Sequence, residues 1–204
     1  MADSAWTTET LIGGHPALDF VNTTGGRSKA RDADRLADYA AFLRWSVAAR
    51  LLTEAEAATL GADAAAATAR AAAVLDGACA FREALHVCLT AETDSAPWPA
   101  AARHAVGDAI RAALAEATLR RTGAGYAWRC DAAALGLALP AARAALAAED
   151  LLRSPELARL RNCHRCSWLF IDRGRGRPRR WCSMATCGSR AKSARYYRKR
   201  KGDS

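Results

Sequence analysis

The sequence predicts a mainly α fold: an N-terminal helical domain carrying one short β-hairpin, then a small C-terminal four-cysteine module built from a β-hairpin and a basic helix. Three observations predict it. Apolar residues, alanine and leucine foremost, make up 51% of the chain and aromatics only 7%, a composition that favours helices over strands. Apolar residues recur at three- and four-residue steps through much of the chain before residue 152. Four of the seven cysteines gather between positions 163 and 187, inside a strongly basic C-terminal stretch.

The elements follow in order. Residues 11–31 hold Gly13, Gly14, His15, Pro16, Gly25 and Gly26 around the apolar patch Ala17-Leu18-Asp19-Phe20-Val21, which predicts a structured leading segment and then a turn or loop. From Asp34, the spacing of Leu36, Tyr39, Ala40, Leu43 and Val47 predicts a helix. Thr53-Glu54-Ala55-Glu56 has the form of a capping box and opens an Ala-rich helical stretch to about Glu92 that breaks near Gly61. Ala96-Pro97-Trp98-Pro99 ends it, and residues 100–118 are helical again. Leu119 to Cys130, with Gly123 and Gly125 at its centre, predicts the hairpin, and residues 140–152 a further helix. There is no internal repeat.

Charge divides the chain at the same place as pattern does. Residues 153–204 hold 16 Lys+Arg against 3 Asp+Glu, a net of +13, whereas residues 1–152 hold 14 against 18, a net of −4. Residues 1–152 therefore read as a helical domain and 153–204 as a module that attracts polyanions. No run of 18 apolar residues occurs and the first twenty residues lack a basic-then-apolar pattern, so the expectation is a cytoplasmic protein without a membrane partner. In that compartment clustered cysteines serve more often as metal ligands or reactive groups than as disulfides.

The four distal cysteines, Cys163, Cys166, Cys182 and Cys187, have the spacing C-x2-C-x15-C-x4-C. A close pair on a tight turn can aim two thiolates at one ion, and a second pair brought back by the intervening chain completes a tetrahedron, the arrangement of one structural zinc ion, Zn2+. The gap suits a hairpin, with Trp168 to Ile171 as first strand, Gly174 and Gly176 in the turn and Arg180-Trp181 as the return. A module of this size buries too little surface to fold alone, and zinc contributes on the order of 10 kcal/mol in its place. Four protein ligands leave no open position for catalysis. Cys79, Cys88 and Cys130 read as small buried hydrophobes.

Two groups of bases flank the ligands: Arg173, Arg175, Arg177, Arg179 and Arg180 in the gap, and Arg190, Lys192, Arg195, Arg198 and Lys199 beyond Cys187. Residues 188–201 lack proline, and Ser189 is placed to cap a helix there. A metal-anchored basic helix beside an Arg-rich loop predicts nucleic-acid binding, with duplex DNA first and RNA or a protein partner as the alternatives. A reader this small needs a homodimer or a second contact to recognise a useful site.

In the helical domain Leu75, Ala78, Leu85 and Leu89 define an apolar stripe, and Arg82 falls within about 40° of its centre. A buried guanidinium needs an anionic partner. Asp19 is the internal candidate, and the expectation is an Arg82–Asp19 bridge; a small anionic ligand is the functional one, with His15, Asn22, Thr23, Trp45 and His86 completing a polar pocket. No Ser/His/Asp order, phosphate loop or open metal site is present, so no enzyme activity is expected.

Cys163, Cys166, Leu169-Phe170, Asp172, Arg179-Arg180-Trp181-Cys182-Ser183-Met184, Cys187-Gly188-Ser189-Arg190 and Lys192 together resemble the CGNR zinc finger, with Ser189 where that family usually has asparagine. Gly14 to Thr23 (GHPALDFVNT), Asp34-Arg35-Leu36, Trp45 and Phe81 to Leu85 (FREAL) are similar to the ABATE domain. The pairing implies a bacterial, stress-induced transcription regulator with a ligand-sensing N-terminal domain. Sensing would then act by changing how the helix at 140–160 presents the finger. The alternative is a zinc-stabilised adaptor for RNA or protein that senses nothing.

Overall fold

Capping side chains set the starts of the first three helices. In the computed structural model, which describes residues 6, 10–123 and 125–202 and side chains as far as Arg198, the leading segment forms a short helix α1 (Pro16–Val21). His15 Nδ1 accepts from Ala17 N at 3.3 Å, and proline occupies the first turn, where a missing N–H costs nothing. Helix α2 (Tyr39–Ala48) starts five residues later than the periodicity predicts from Asp34, because the Asp38 carboxylate caps it at Ala41 N, 2.6 Å. Helix α3 (Glu54–Ala66) opens with the predicted reciprocal capping box of Thr53 and Glu56.

The break expected near Gly61 lies instead at Ala67, where the chain bends by 119° into α4 (Thr68–Thr93). Gly61 is accommodated inside α3. The bend lets Leu60 of α3 and Ala71 and Leu75 of α4 enter one core. Helix α5 (Ala100–Ala115) follows Pro99, and the predicted hairpin is present as β1 (Ala117–Thr122) and β2 (Gly125–Cys130), paired antiparallel. A single turn α6 (Ala132–Leu135) leads to α7 (Leu139–Arg153).

The core is centred on aromatic rings from three helices. Phe20 of α1 lies 5.1 Å from Trp45 of α2 and 5.9 Å from Phe81 of α4, centroid to centroid. Helix α7 runs against α1, α4 and α5 and buries Leu139, Ala144, Ala148 and Leu151 completely. Residues Ala132–Arg153 are long and apolar enough to cross a membrane by composition, but α7 turns that apolar surface to this core.

The C-terminal module differs from the expected hairpin. Its strands are β3 (Leu160–Asn162) and β4 (Leu169–Ile171), so residues 169–171 pair backward in sequence and the C-x2-C knuckle is the turn. The expected return at Arg180-Trp181 is not a strand. The segment between is arginine- and glycine-rich, and Pro178 offers no N–H for a ladder. The Asp172 carboxylate folds it instead, accepting from Gly174 N at 3.1 Å and Arg179 N at 2.9 Å. After Cys182 a wide turn, Met184–Gly188, runs into α8 (Ser189–Gly202). The cap of this unit is Ser183, which accepts from Thr186 N at 3.3 Å; Ser189, expected as the cap, is already helical and donates to Met184 O.

Candidate metal centre and nucleic-acid interface

The knuckle and the turn before α8 bring four sulfurs together. Cys163, Cys166, Cys182 and Cys187 are all buried, and their Sγ atoms lie within 4.8 Å of one another. Cys166 and Cys182 are 3.8 Å apart, Cys182 and Cys187 3.6 Å. A tetrahedron with zinc–sulfur bonds of about 2.3 Å has edges of about 3.8 Å, so this donor set fits one zinc ion. Thiols this close cannot all ionise unaided. S–H donation from Cys166 and Cys182 holds the Cys163 thiol far below its ordinary value, and that same contact pushes Cys166 up to about 12. A divalent cation is what lets the remaining sulfurs carry charge. Phe170, Trp168 and Trp181 cover the cluster. His164 stays outside it, edge-on to Trp181 at 5.8 Å.

The ten basic residues expected at a nucleic-acid surface fall into distinct groups. Arg173 is exposed but already engaged: it forms a bidentate pair with Glu156 at 2.6 and 2.7 Å and donates to Gly14 O at 2.9 Å. Arg179 braces the metal centre, donating to Cys182 O at 2.6 Å with its guanidinium 4.7 Å from the centre of the Phe170 ring. Arg180 lies over Trp181. Arg175 and Arg177 are exposed at the loop tip, and Arg190, Lys192, Arg195 and Arg198 are exposed along α8. The side chain of Lys199 lies outside the described residues. Helix α8 contains no acidic residue, and every described side chain from Lys192 onward is exposed, Tyr196 and Tyr197 at 59% and 66%. A helix polar all round has no face to bury against its own domain. This one is presented to solvent by the metal centre at its base.

The structure does not gather the seven residues expected to form an anion pocket into one, and six of them have other polar partners. Arg82 is buried, but its guanidinium meets Asp34, at 2.9 and 2.5 Å, and not Asp19. It also donates to Thr23 Oγ1 at 3.0 Å and to Glu83, which in turn grips Arg31 at 2.6 and 3.0 Å. Burial would raise the Asp34 carboxyl, yet the bonds from Arg82 and Leu36 N hold it below the usual carboxylate range. Asp19 instead caps Gly13 N at 2.8 Å within its own turn, and burial lifts its pKa to about 6. The bridge to Asp19 fails because α1 is a closed turn that points that carboxylate back at Gly13. His15 Nε2 meets Asp150 at 3.1 Å. Trp45 is fully buried in the aromatic core. A cleft of about 450 Å³ lies elsewhere, between α3 and α6, and none of the seven lines it.

Asn22 and His86 face the finger. Asn22 Nδ2 donates to Leu169 O at 2.8 Å and its Oδ1 accepts from Leu169 N at 3.0 Å. His86 Nε2 reaches Ser167 O at 3.1 Å, and burial, reinforced by Arg31, pushes its pKa down to about 4. The loop after α1 completes this seat. Trp168 Nε1 donates to Thr24 O, Ser167 N to Ser28 O and Ile171 N to Gly13 O. Lys29 Nζ donates to Cys163 O at 2.5 Å, and Arg35 lies over the Trp168 ring. Gly25 and Gly26, at φ +76° and +96°, permit the approach: a Cβ would sit 2.2 Å from Ser167 Oγ and 2.7 Å from the Trp168 ring. Lys29 was not singled out from sequence, and Asp34 and Glu83 stood only inside the motifs Asp34-Arg35-Leu36 and FREAL, not as partners of Arg82 and Arg31. The one signal for Lys29 was a basic, glycine-led loop, GGRSKAR, within an acidic domain.

Comparison with known proteins accords with this geometry. The family model of ABATE, described as "Putative stress-induced transcription regulator", matches residues 14–155. The model of the CGNR zinc finger matches residues 159–200. No curated protein matches the chain.

Proposed function

The chain belongs to the ABATE family and ends in a CGNR zinc finger, and from that premise we propose that it binds duplex DNA through the finger and regulates transcription without catalysing a reaction. The observation that carries this reading is α8: an acid-free basic helix, its described side chains from Lys192 to Arg198 all exposed, that starts directly after the four-cysteine cluster. Such a helix fits a major groove, with arginines available to guanine edges and phosphates. Arg175 and Arg177 extend the positive surface from the loop beside it. About five phosphate contacts give a slope of log K against log salt of roughly −4.5.

The N-terminal domain, in this reading, holds the finger. The contacts between loop and finger favour residues 22–35 as a route for sensing beside the helix at 140–160. The Arg82–Asp34 and Arg31–Glu83 pairs set the shape of the loop on which the finger sits. A small anion that competes with Asp34 or Glu83 for these guanidiniums would loosen that seat, and DNA binding would change its affinity by the same factor.

The test is zinc content measured together with selection from a randomised duplex-DNA pool, for wild type and Cys182→Ser. One zinc per chain and an enriched sequence, both lost in the variant, support the regulator. Zinc without enrichment, and equal binding to RNA or to unrelated duplexes, would give the basic helix to an adaptor role instead.

A further inference from the structure

Strands β1 and β2 form a two-stranded ribbon that stands off the helical domain. Its base is fixed: Cys130 is buried, and Arg143 of α7 donates to Cys130 O at 3.0 Å while held by Glu56 at 2.7 and 2.8 Å. Beyond that base the ribbon exposes large apolar surface, with Leu119 at 55%, Tyr126 at 69% and Trp128 at 39% exposure. An isolated hairpin is marginal in water, and Leu119 faces Trp128 across the strands, which stabilises the ribbon itself. The exposure of Tyr126 is not explained that way.

Charge indicates what the ribbon meets. Residues 117–130 contain Arg120, Arg121 and Arg129 and no acid, whereas the rest of residues 1–152 holds 11 bases against 18 acids. The hairpin is thus a positive outcrop of a negative domain. Arg121 shares a face with Leu119, Tyr126 and Trp128, while Arg120 and Arg129 lie on the other face. Arginines on both faces, with the aromatics on one of them, suit a ribbon flanked by two phosphate backbones, and a major groove admits a two-stranded ribbon. A second copy of the chain would set these arginines against one another, which is unfavourable. Helix α7 connects the two positive elements: Arg143 holds the hairpin, and Arg153, about 15 Å further along the axis, leads to the finger.

We propose that the β1–β2 hairpin is a second nucleic-acid contact, a basic aromatic ribbon that grips the same duplex as α8. It rests on the finger's binding DNA, and it supplies the further contact that a small finger lacks. The test uses the zinc-loaded full chain and the labelled duplex that the wild type enriches, titrated across salt concentrations. R120A/R121A/R129A should make the slope of log K against log salt shallower by about 2.7 and raise Kd roughly 500-fold at 0.1 M salt. Zinc content and melting should not change, and R120K/R121K/R129K should keep the wild-type slope. An unchanged slope and Kd in the alanine triple overturns the hairpin contact and leaves the finger's role standing. If the wild type enriches no duplex, both fall. Unchanged DNA binding with lost self-association in L119S/W128S, read by sedimentation, assigns the face to a second copy and overturns the proposal.

Discussion

The helical domain and the finger are held together by different physics. The domain has a broad apolar core in which Phe20, Phe42, Trp45, Leu85, Leu89, Leu139 and Leu151 are excluded from water. The finger's own interior is four sulfurs and the rings of Trp168 and Phe170, too little for a stable core. Three more of its buried apolar residues, Leu160, Leu169 and Ile171, belong to the domain's core. The finger is therefore organised from two sides: a metal gathers its cysteines, and the helical domain takes in its hairpin. A small module can be rigid with little interior of its own if a neighbour supplies part of it.

Removing the metal probes that division most strongly. Chelation, or Cys182→Ser, should unfold the finger, a loss on the order of 10 kcal/mol of local stabilisation. Because the hairpin shares the domain's core, the helical melting transition should also fall. Helical melting unchanged on chelation would show the two regions to be independent.

The next effect comes from the buried guanidinium. Asp34→Ala leaves Arg82 without its bidentate partner and should cost about 3 kcal/mol in urea unfolding. Amide exchange should rise in residues 22–35 first. Asn22→Ala is smaller and more local. It leaves both backbone groups of Leu169 unpaired and should cost about 2 kcal/mol, with zinc retained and exchange at Leu169 increased.

The smallest effect lies at the hairpin's anchor. Bonds from Arg143, then from Thr53 N, hold Glu56 down to about 2. A depressed carboxyl stabilises the fold above its unfolded value of 4.5, and that contribution disappears as pH falls from 4.5 toward 2. Glu56 is partly exposed, so Glu56→Gln should cost about 1 kcal/mol at neutral pH. The difference in melting between wild type and variant should vanish by pH 2.

How much of this was legible beforehand depended on how local the signal was. The four ligands follow from spacing alone, and the capping box at Thr53 from four adjacent residues. The β1–β2 hairpin was visible because its glycines punctuate two short runs. The partner of Arg82 was not visible: periodicity shows that the residue faces inward, but choosing Asp34 over Asp19 requires knowing that α1 closes on itself. The bend at Ala67 has no breaker residue, since Ala64 to Thr68 contains neither glycine nor proline; packing of Leu60 and Ala71 sets it. The finger's hairpin was misplaced for a related reason. Residues 169–171 have strand character, but they pair with the strand before the knuckle, Leu160–Asn162, and their other edge is met by Asn22, far away in the chain. The polar residues of GHPALDFVNT suggested a ligand, but Asp19 is satisfied by Gly13 N, His15 by Asp150 and Thr23 by Arg82 within the helical domain, and only Asn22 finds its partner, Leu169, in the C-terminal module.

Asn22 and Leu169 are 147 residues apart, and that separation has a consequence for synthesis. The leading segment leaves the ribosome early, and the strand it receives emerges on the order of ten seconds later at ordinary elongation rates. Until then Asn22, Gly25 and Gly26 form a seat with no occupant, and α7 lacks the hairpin that finishes its core. The nascent domain must persist incomplete until its last segment arrives. A chain cut short before the finger would keep that seat open, a recognisable mark of an unfinished protein.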